Sequence, residues 1–176
     1  MRVVAGAYGG RRLATPRGAH TRPTADRVRE AVFSMLGSVE GARVLDLFAG
    51  SGGLGLEALS RGAAEATFVD SAPAAVRAVR ANLEALGAAG EVRRSDARAF
   101  VRNAHARGRQ YDLVFLDPPY RRASALAEAL AGDLAAVLAP RARVVAESDR
   151  RRPLELSLPL VVERRYGDTV IRIHTP

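Results

Sequence analysis

From residue 42 onward, short apolar runs alternate with longer amphipathic ones. This alternation restricts the fold more than any other feature. "ARVLDLF" (42–48), "EATFVD" (65–70), "EVRRS" (91–95), "YDLVFLD" (111–117) and "ARVVAES" (142–148) have the length and β-branched content of strands. Between them, "GLGLEALSRG" (53–62), "APAAVRAVRANLEALG" (72–87), "DARAFVRNAHARG" (96–108) and "ASALAEALAGDLAAVL" (123–138) read as helices, the second closed by Gly87. Strands joined through helices run parallel, and a parallel sheet is covered on both faces. The end departs from this pattern. "LPLVVERRYGDTVIRIHTP" (158–176) holds two strands joined near Tyr166-Gly167-Asp168, with no room for a helix, so they pair antiparallel. The expected fold is α/β: a mostly parallel seven-stranded sheet with an antiparallel C-terminal strand. That order differs from the all-parallel sheet of dinucleotide dehydrogenases.

Ahead of this core, residues 1–23 are basic and glycine-rich, with a short hairpin expected in "RVVAGAYGGRRLATP" (2–16). "PTADRVREAVFSML" (23–36) reads as a helix. Thr24 would cap it, Asp26 lies in its first turn, Val28, Val32, Met35 and Leu36 form an apolar stripe, and Gly37 ends it. The 176 residues fit one domain, an N-terminal extension over 1–37 and a core over 38–176.

The chain carries 27 basic against 19 acidic residues, and every basic one is arginine. Codon bias accounts for arginine over lysine but not for the net charge of +8. Arginine binds phosphate bidentately and stacks on bases, so a nucleic-acid partner is expected. Cysteine is absent, which removes disulfides and thiolate metal sites. The start "MRVVAGAYGGRRL" has no apolar signal core, and no run approaches the ~20 apolar residues of a membrane span, so a cytoplasmic location is expected.

The first strand-to-helix turn, "VLDLFAGSGGLGLEAL", contains G-x-G-x-x-G at Gly50, Gly52 and Gly55. Asp70 ends the second strand 20 residues after Gly50, where an acid can bind ribose hydroxyls. An NAD-dependent oxidoreductase therefore remains open at this point. Asp46 lies inside the first strand, and a carboxylate there needs donors, such as loop amides or a ligand ammonium. Asp96 follows the third strand and suits the exocyclic amine of an adenine. Asp70 and Asp96 also have simpler readings as helix caps.

"LDPPY" (116–120) follows the fourth strand. An exocyclic amine on a base is a poor nucleophile because its lone pair is delocalised into the ring. Two fixed acceptors beside its hydrogens favour the sp³ geometry that attack requires. The Asp117 carboxylate and Pro118 carbonyl are adjacent along the chain, and the two prolines lock the turn. The Tyr120 ring can stack on a base that has been unstacked to reach it. His20, His105 and His174 lack ligand spacing, so no metal is expected. No nucleophile elbow occurs, and a Walker loop is impossible without lysine.

"VLDLFAGSGGLGLEALSRGA" together with "DLVFLDPPY" resembles the S-adenosylmethionine-dependent amino methyltransferases of Rossmann-like class I fold. With "GGRRLATP…TRPTADRVREAVFSML" in front, the chain resembles the RsmD family of small-subunit (16S) ribosomal RNA guanine-N2 methyltransferases. The resemblance spans nearly the whole chain and is weakest over 149–165. It implies S-adenosylmethionine bound by Asp46, Phe48, Gly50, Gly52, Asp70, Ser71, Asp96 and Ala97. It implies catalysis by Asp117, Pro118 and Tyr120, with Arg22, Thr24, Pro119 and Tyr120 on the RNA side. Asp70 is shorter than the glutamate usual at its position. The family also implies an assembled or assembling ribonucleoprotein as substrate, acted on by a monomer. Two rivals stand beside this: a DNA adenine-N6 methyltransferase, for whose usual target-recognition domain the chain has no room, and a non-catalytic RNA-binding protein on a degenerate scaffold.

Overall fold

In a computed structural model, the structure describes residues 1–16, 26–118, 130 and 132–176. The elements run α1 (Asp26–Leu36), β1 (Arg43–Leu47), α2 (Gly53–Ser60), β2 (Glu65–Asp70), α3 (Pro73–Leu86), β3 (Glu91–Arg94), α4 (Ala97–Ala106), β4 (Tyr111–Leu116), β5 (Leu138–Asp149), β6 (Leu160–Tyr166) and β7 (Thr169–His174). Residues 132–136 are also helical. The strands form one seven-stranded sheet in the order β3-β2-β1-β4-β5-β7-β6. β1 to β5 are mutually parallel, and β7 inserts antiparallel between β5 and β6. The seven-stranded, mostly parallel α/β architecture expected from the alternation is therefore the one observed.

Register decides which side chains share a face. Asp46 pairs with Phe68 on one side and Phe115 on the other, and Phe115 pairs with Val145. These positions point toward the layer built from Phe33 of α1, Leu56 of α2 and Val79 of α3. The alternate positions, Leu47, Val69, Val114 and Ala146, face Phe100 and Val101 of α4 and Leu134. β1, β2 and β4 are thus buried on both sides over most of their length, which is why they read as near-continuous apolar runs, whereas the edge strand β3 is half-buried to exposed and polar.

Two elements differ from the sequence reading. Half of the helix expected over 123–138 lies outside the described residues; 130 and 132–136 are helical, and Leu138 already belongs to β5, paired with Tyr111. β5 therefore starts four residues before the expected "ARVVAES", across an irregularity between Tyr111 and Leu113 that lets it continue past Pro140. The N-terminal hairpin is a single antiparallel bridge, Arg2 with Arg12, held by the hydrogen bonds from Val3 N to the Arg11 carbonyl and from Gly10 N to the Val3 carbonyl. The Thr24 cap lies outside the described residues.

Candidate active site at the carboxyl ends of the strands

The glycine loop turns sharply out of β1. Gly50 and Gly52 sit at φ 56° and 80°, which glycine adopts freely, and Phe48 takes φ 68°, a left-handed conformation that costs a side chain energy. Gly55 has a different reason to be glycine. A methyl group there would stand 2.3 Å from Phe68 Cε1, so α2 could not lie this close to β2. The Asn82 amide donates to the Ser51 carbonyl at 2.8 Å and pins the loop to α3.

Two carboxylates hold this loop. Asp70 Oδ2 accepts from Gly50 N at 2.9 Å, and Asp70 Oδ1 accepts from Ala72 N at 2.8 Å. Asp70 is thus fixed at the end of β2, two residues before the N-cap of α3, which is Ala72. Its neighbour Ser71 is exposed. Asp46 is buried, and its Oδ2 accepts from Gly55 N at 2.9 Å, in the first turn of α2. A helix N-terminus favours a negative charge, and this amide is a donor of the kind the buried strand aspartate needed. One amide does not balance its desolvation. Burial first, then the charge of Asp70, raises the Asp46 pKa to about 7, against the opposing effect of the Gly55 amide.

Asp117 follows β4 with part of its surface exposed, beside the buried Pro118. Its carboxyl pKa is held well above the usual carboxylate range by burial, then by the charges of Glu147 and Asp46. Glu147 is the residue that sequence reasoning missed. Leu116 pairs with Ala146, so Asp117 and Glu147 are the next positions on adjacent strands, and parity puts both on the face of Asp46. Glu147 is buried. The structure brings Asp46, Asp117 and Glu147 together at the carboxyl end of the sheet, with Asp70 within electrostatic reach of Asp46. An open α/β sheet binds ligands at this end.

Asp96 is exposed and caps α4, its Oδ1 accepting from Ala99 N at 3.1 Å. The cap reading of this residue is therefore realised, and Ala97 behind it is buried. Arg22, Thr24, Pro119 and Tyr120 lie outside the described residues. Among the described residues no His, Cys, Asp and Glu group has the geometry of a metal site, and no helix is long and apolar enough to cross a membrane.

A second buried polar system ties the N-terminal segment to this site. Glu57 of α2 accepts from Val4 N at 2.7 Å, Ala5 N at 3.0 Å and Arg61 Nε at 2.8 Å. The buried Arg29 of α1 lies beside it, Nε 3.6 Å from Glu57 Oε2, and also donates to Asp26 at 2.9 Å and to the Arg2 carbonyl. Asn82 exchanges hydrogen bonds with Ala14, and Met1 Sδ lies 3.8 Å from the Ser51 hydroxyl. The chain start is thereby held against the glycine loop.

Residues 1–175 match the family model Cons_hypoth95, described as "Conserved hypothetical protein 95". The chain is 41% identical over 184 residues to "Putative rRNA methyltransferase YlbH" of Bacillus subtilis, covering 99% of this chain and 98% of that protein. It is 44% identical over 124 residues to "Ribosomal RNA small subunit methyltransferase D" of Escherichia coli K12, covering 69% of this chain and 61% of that protein. The structure superimposes on the "Putative methyltransferase yhhF from Escherichia coli" with a TM-score of 0.83 at 35% identity, over 99% of this chain and 97% of the other. Its sheet order and its glycine loop are those of a class I methyltransferase, and the chain belongs to the Cons_hypoth95 family, the RsmD family of methyltransferases.

Proposed function

We propose that this chain transfers a methyl group from S-adenosylmethionine to the exocyclic N2 amine of a guanine in small-subunit ribosomal RNA, within an assembled or assembling subunit. The observation that carries this reading is the placement of Asp117 beside Asp46 and Glu147 on one face of the sheet, next to the glycine loop. Relatives named for ribosomal RNA methylation support the substrate class.

The residues fit the cofactor. Asp46 is a buried carboxylate whose raised pKa reports a deficit of positive charge around it, which an ammonium or sulfonium group relieves. Asp70, already oriented by two amides, keeps acceptor lone pairs for ribose hydroxyls. Gly50 leaves the backbone open to close approach, while a side chain on Gly52 would press on Leu56, Phe68 and Val79. Ser71, Asp96 and Ala97 line the turns after β2 and β3, the side assigned to the adenine. When bound, the cofactor supplies an electrophilic methyl group.

Asp117 and the Pro118 carbonyl accept from the N2 amine and hold it in line. Glu147 supplies the discrimination between bases. The Watson–Crick edge of guanine presents N1–H beside the N2 amine, two donors side by side, which Asp117 and Glu147 satisfy when both are ionised. Adenine presents a lone pair at N1, which an ionised second carboxylate repels. This favours guanine-N2 over the DNA adenine-N6 alternative. Tyr120 and Pro119 stack on and enclose the base, while Arg22 and Thr24 contact the RNA.

The test is transfer of labelled methyl to three samples: naked ribosomal RNA, small subunits lacking the modification, and unmethylated DNA. Label in subunits, mapped to guanine N2, is expected. Label confined to DNA would sink the proposal. Asp117→Asn should lower transfer by at least ~100-fold while S-adenosylhomocysteine affinity stays within about threefold. A matching loss of cofactor affinity would move Asp117 out of the base pocket.

A further inference from the structure

The sheet begins at β3, whose outer edge pairs with no strand among the described residues. Between that edge and the exposed flank of α4 lies a pocket of about 290 Å³, lined by Glu91, Arg93, Arg94, Asn103, Arg107 and Arg109 among others. Four guanidinium groups face one carboxylate there. Glu91 is shared by Arg93 Nε at 2.6 Å and Arg109 Nη1 at 2.8 Å, so one negative charge serves two arginines. Arg94 reaches only the Ser71 carbonyl, at 3.5 Å, and the exposed Arg107 guanidinium has no ion pair or hydrogen bond among the described residues. The pocket therefore holds an excess of positive charge that the protein itself does not neutralise.

We propose that this pocket is a phosphate-binding subsite for the RNA backbone, remote from the reacting base; it rests on the RNA reading above. Guanidinium forks match phosphate oxygens, and the Asn103 amide adds a neutral donor. Position supports the assignment. Ser95 N donates to the Asp70 carbonyl at 3.1 Å, so the pocket begins where the ribose-binding end of β2 stops. From Asp117, just past β4, to Arg94 of β3, level with it in the register, is three inter-strand steps, about 14 Å at ~4.8 Å each. A strand rising ~3.4 Å per nucleotide covers that in about four nucleotides. RNA with its target base at Asp117 can thus lay a phosphate a few nucleotides away into the arginine pocket. An acidic protein segment, which the same charges also attract, is the competing occupant.

The test uses the full chain and two double variants. Arg94→Ala with Arg107→Ala removes the two arginines outside the Glu91 pair. Arg151→Ala with Arg164→Ala removes two exposed arginines from the β5–β6 side of the sheet, with the same change in net charge. Affinity for 16S ribosomal RNA is measured from roughly 50 to 200 mM salt. The pocket variant should bind roughly tenfold more weakly, with the log–log salt slope reduced by about 0.7 to 0.9, as for one lost phosphate contact. The control pair should move neither by half as much, and both variants should bind S-adenosylhomocysteine as the parent does. Equal effects from the two pairs, or none, would overturn the pocket while leaving the function standing. A parallel loss of affinity for polyglutamate as large as for RNA would hand the pocket to acidic protein. A parent chain that binds S-adenosylhomocysteine but no RNA would overturn both proposals.

Discussion

Glu57 and Asp46 lie eleven residues apart, on either side of the glycine loop, and both are buried. They are held in opposite ways. Glu57 receives two backbone amides and the Arg61 guanidinium, with Arg29 beside it. Asp46 receives the Gly55 amide, and burial pushes its pKa up to about 7. Buried charge is tolerable when its lone pairs are filled and costly when they are not. Glu57 is therefore a structural charge, finished by the fold. Asp46 is a charge the fold leaves incomplete, and we propose that a cationic ligand completes it.

The largest expected effect breaks the finished site. Glu57→Gln takes one of the two counter-charges of the buried Arg29, the other being Asp26, and leaves only one acceptor oxygen for the Val4 and Ala5 amides. Removing one partner of a buried pair costs about 3–5 kcal/mol, which for a domain of this size lowers Tm by roughly 10 °C. A fall in Tm under about 2 °C would show that the N-terminal clamp contributes little.

The second prediction has the opposite sign. The folded pKa of Asp46 is raised, so the folded state binds a proton that the unfolded chain releases near 3.8. The stability linked to this proton is present below about pH 4 and is lost as pH rises through about 7. Asp46→Asn removes that dependence. Above neutral pH the ligand-free variant should unfold at a higher temperature than the parent, by several degrees, while binding S-adenosylmethionine at least ~10-fold more weakly. In the parent, cofactor affinity should rise as pH passes about 7, because the ligand favours the ionised acid. Unfolding curves at about pH 5 and about pH 8 decide this. A variant less stable than the parent at the higher pH would mean Asp46 is as well satisfied as Glu57.

The contrast also explains which parts of the molecule were legible in the sequence. The acids at 46, 70 and 117 stand out because each interrupts or ends an apolar run, whereas Asp96 follows the polar "EVRRS" and is marked by its place at the start of α4. Gly50, Gly52 and Gly55 declare themselves by spacing, although the steric need at Gly55 is Phe68, contributed by the next strand. Glu147 looks like the ordinary polar end of "ARVVAES". Its place beside Asp117 depends on the pairing of Leu116 with Ala146, and register between strands 30 residues apart leaves no local mark. Nothing local in the sequence marks Arg29, Glu57 and Asn82 as buried. What buries them is the N-terminal segment crossing over, with Glu57 52 and 53 residues from the amides it accepts. Ala and Leu dominate the stretch before Leu138 and favour helix there. Pairing with Tyr111 overrode that local propensity.

The smallest expected effect separates a clamp from a single pair. Arg61 donates to Glu57 Oε1, sits 4.8 Å over the Phe33 ring and keeps 24% of its side chain exposed. Arg61→Met retains an apolar stem against the ring and removes the charge. Glu57 keeps the Val4 and Ala5 amides and the neighbouring Arg29, so its lone pairs stay largely filled. The loss is then one partly solvated hydrogen bond and a cation–π contact, about 1 kcal/mol, or about 3 °C in Tm. If Arg61→Met cost as much as Glu57→Gln, Glu57 would rest on one ion pair, and the N-terminal amides would be passengers. If the cost is as small as expected, the stabilisation of Glu57 is shared among donors from three segments. Sharing of that kind is what Asp46 lacks, and it is why one buried carboxylate fastens the fold while the other is the one proposed to meet a ligand.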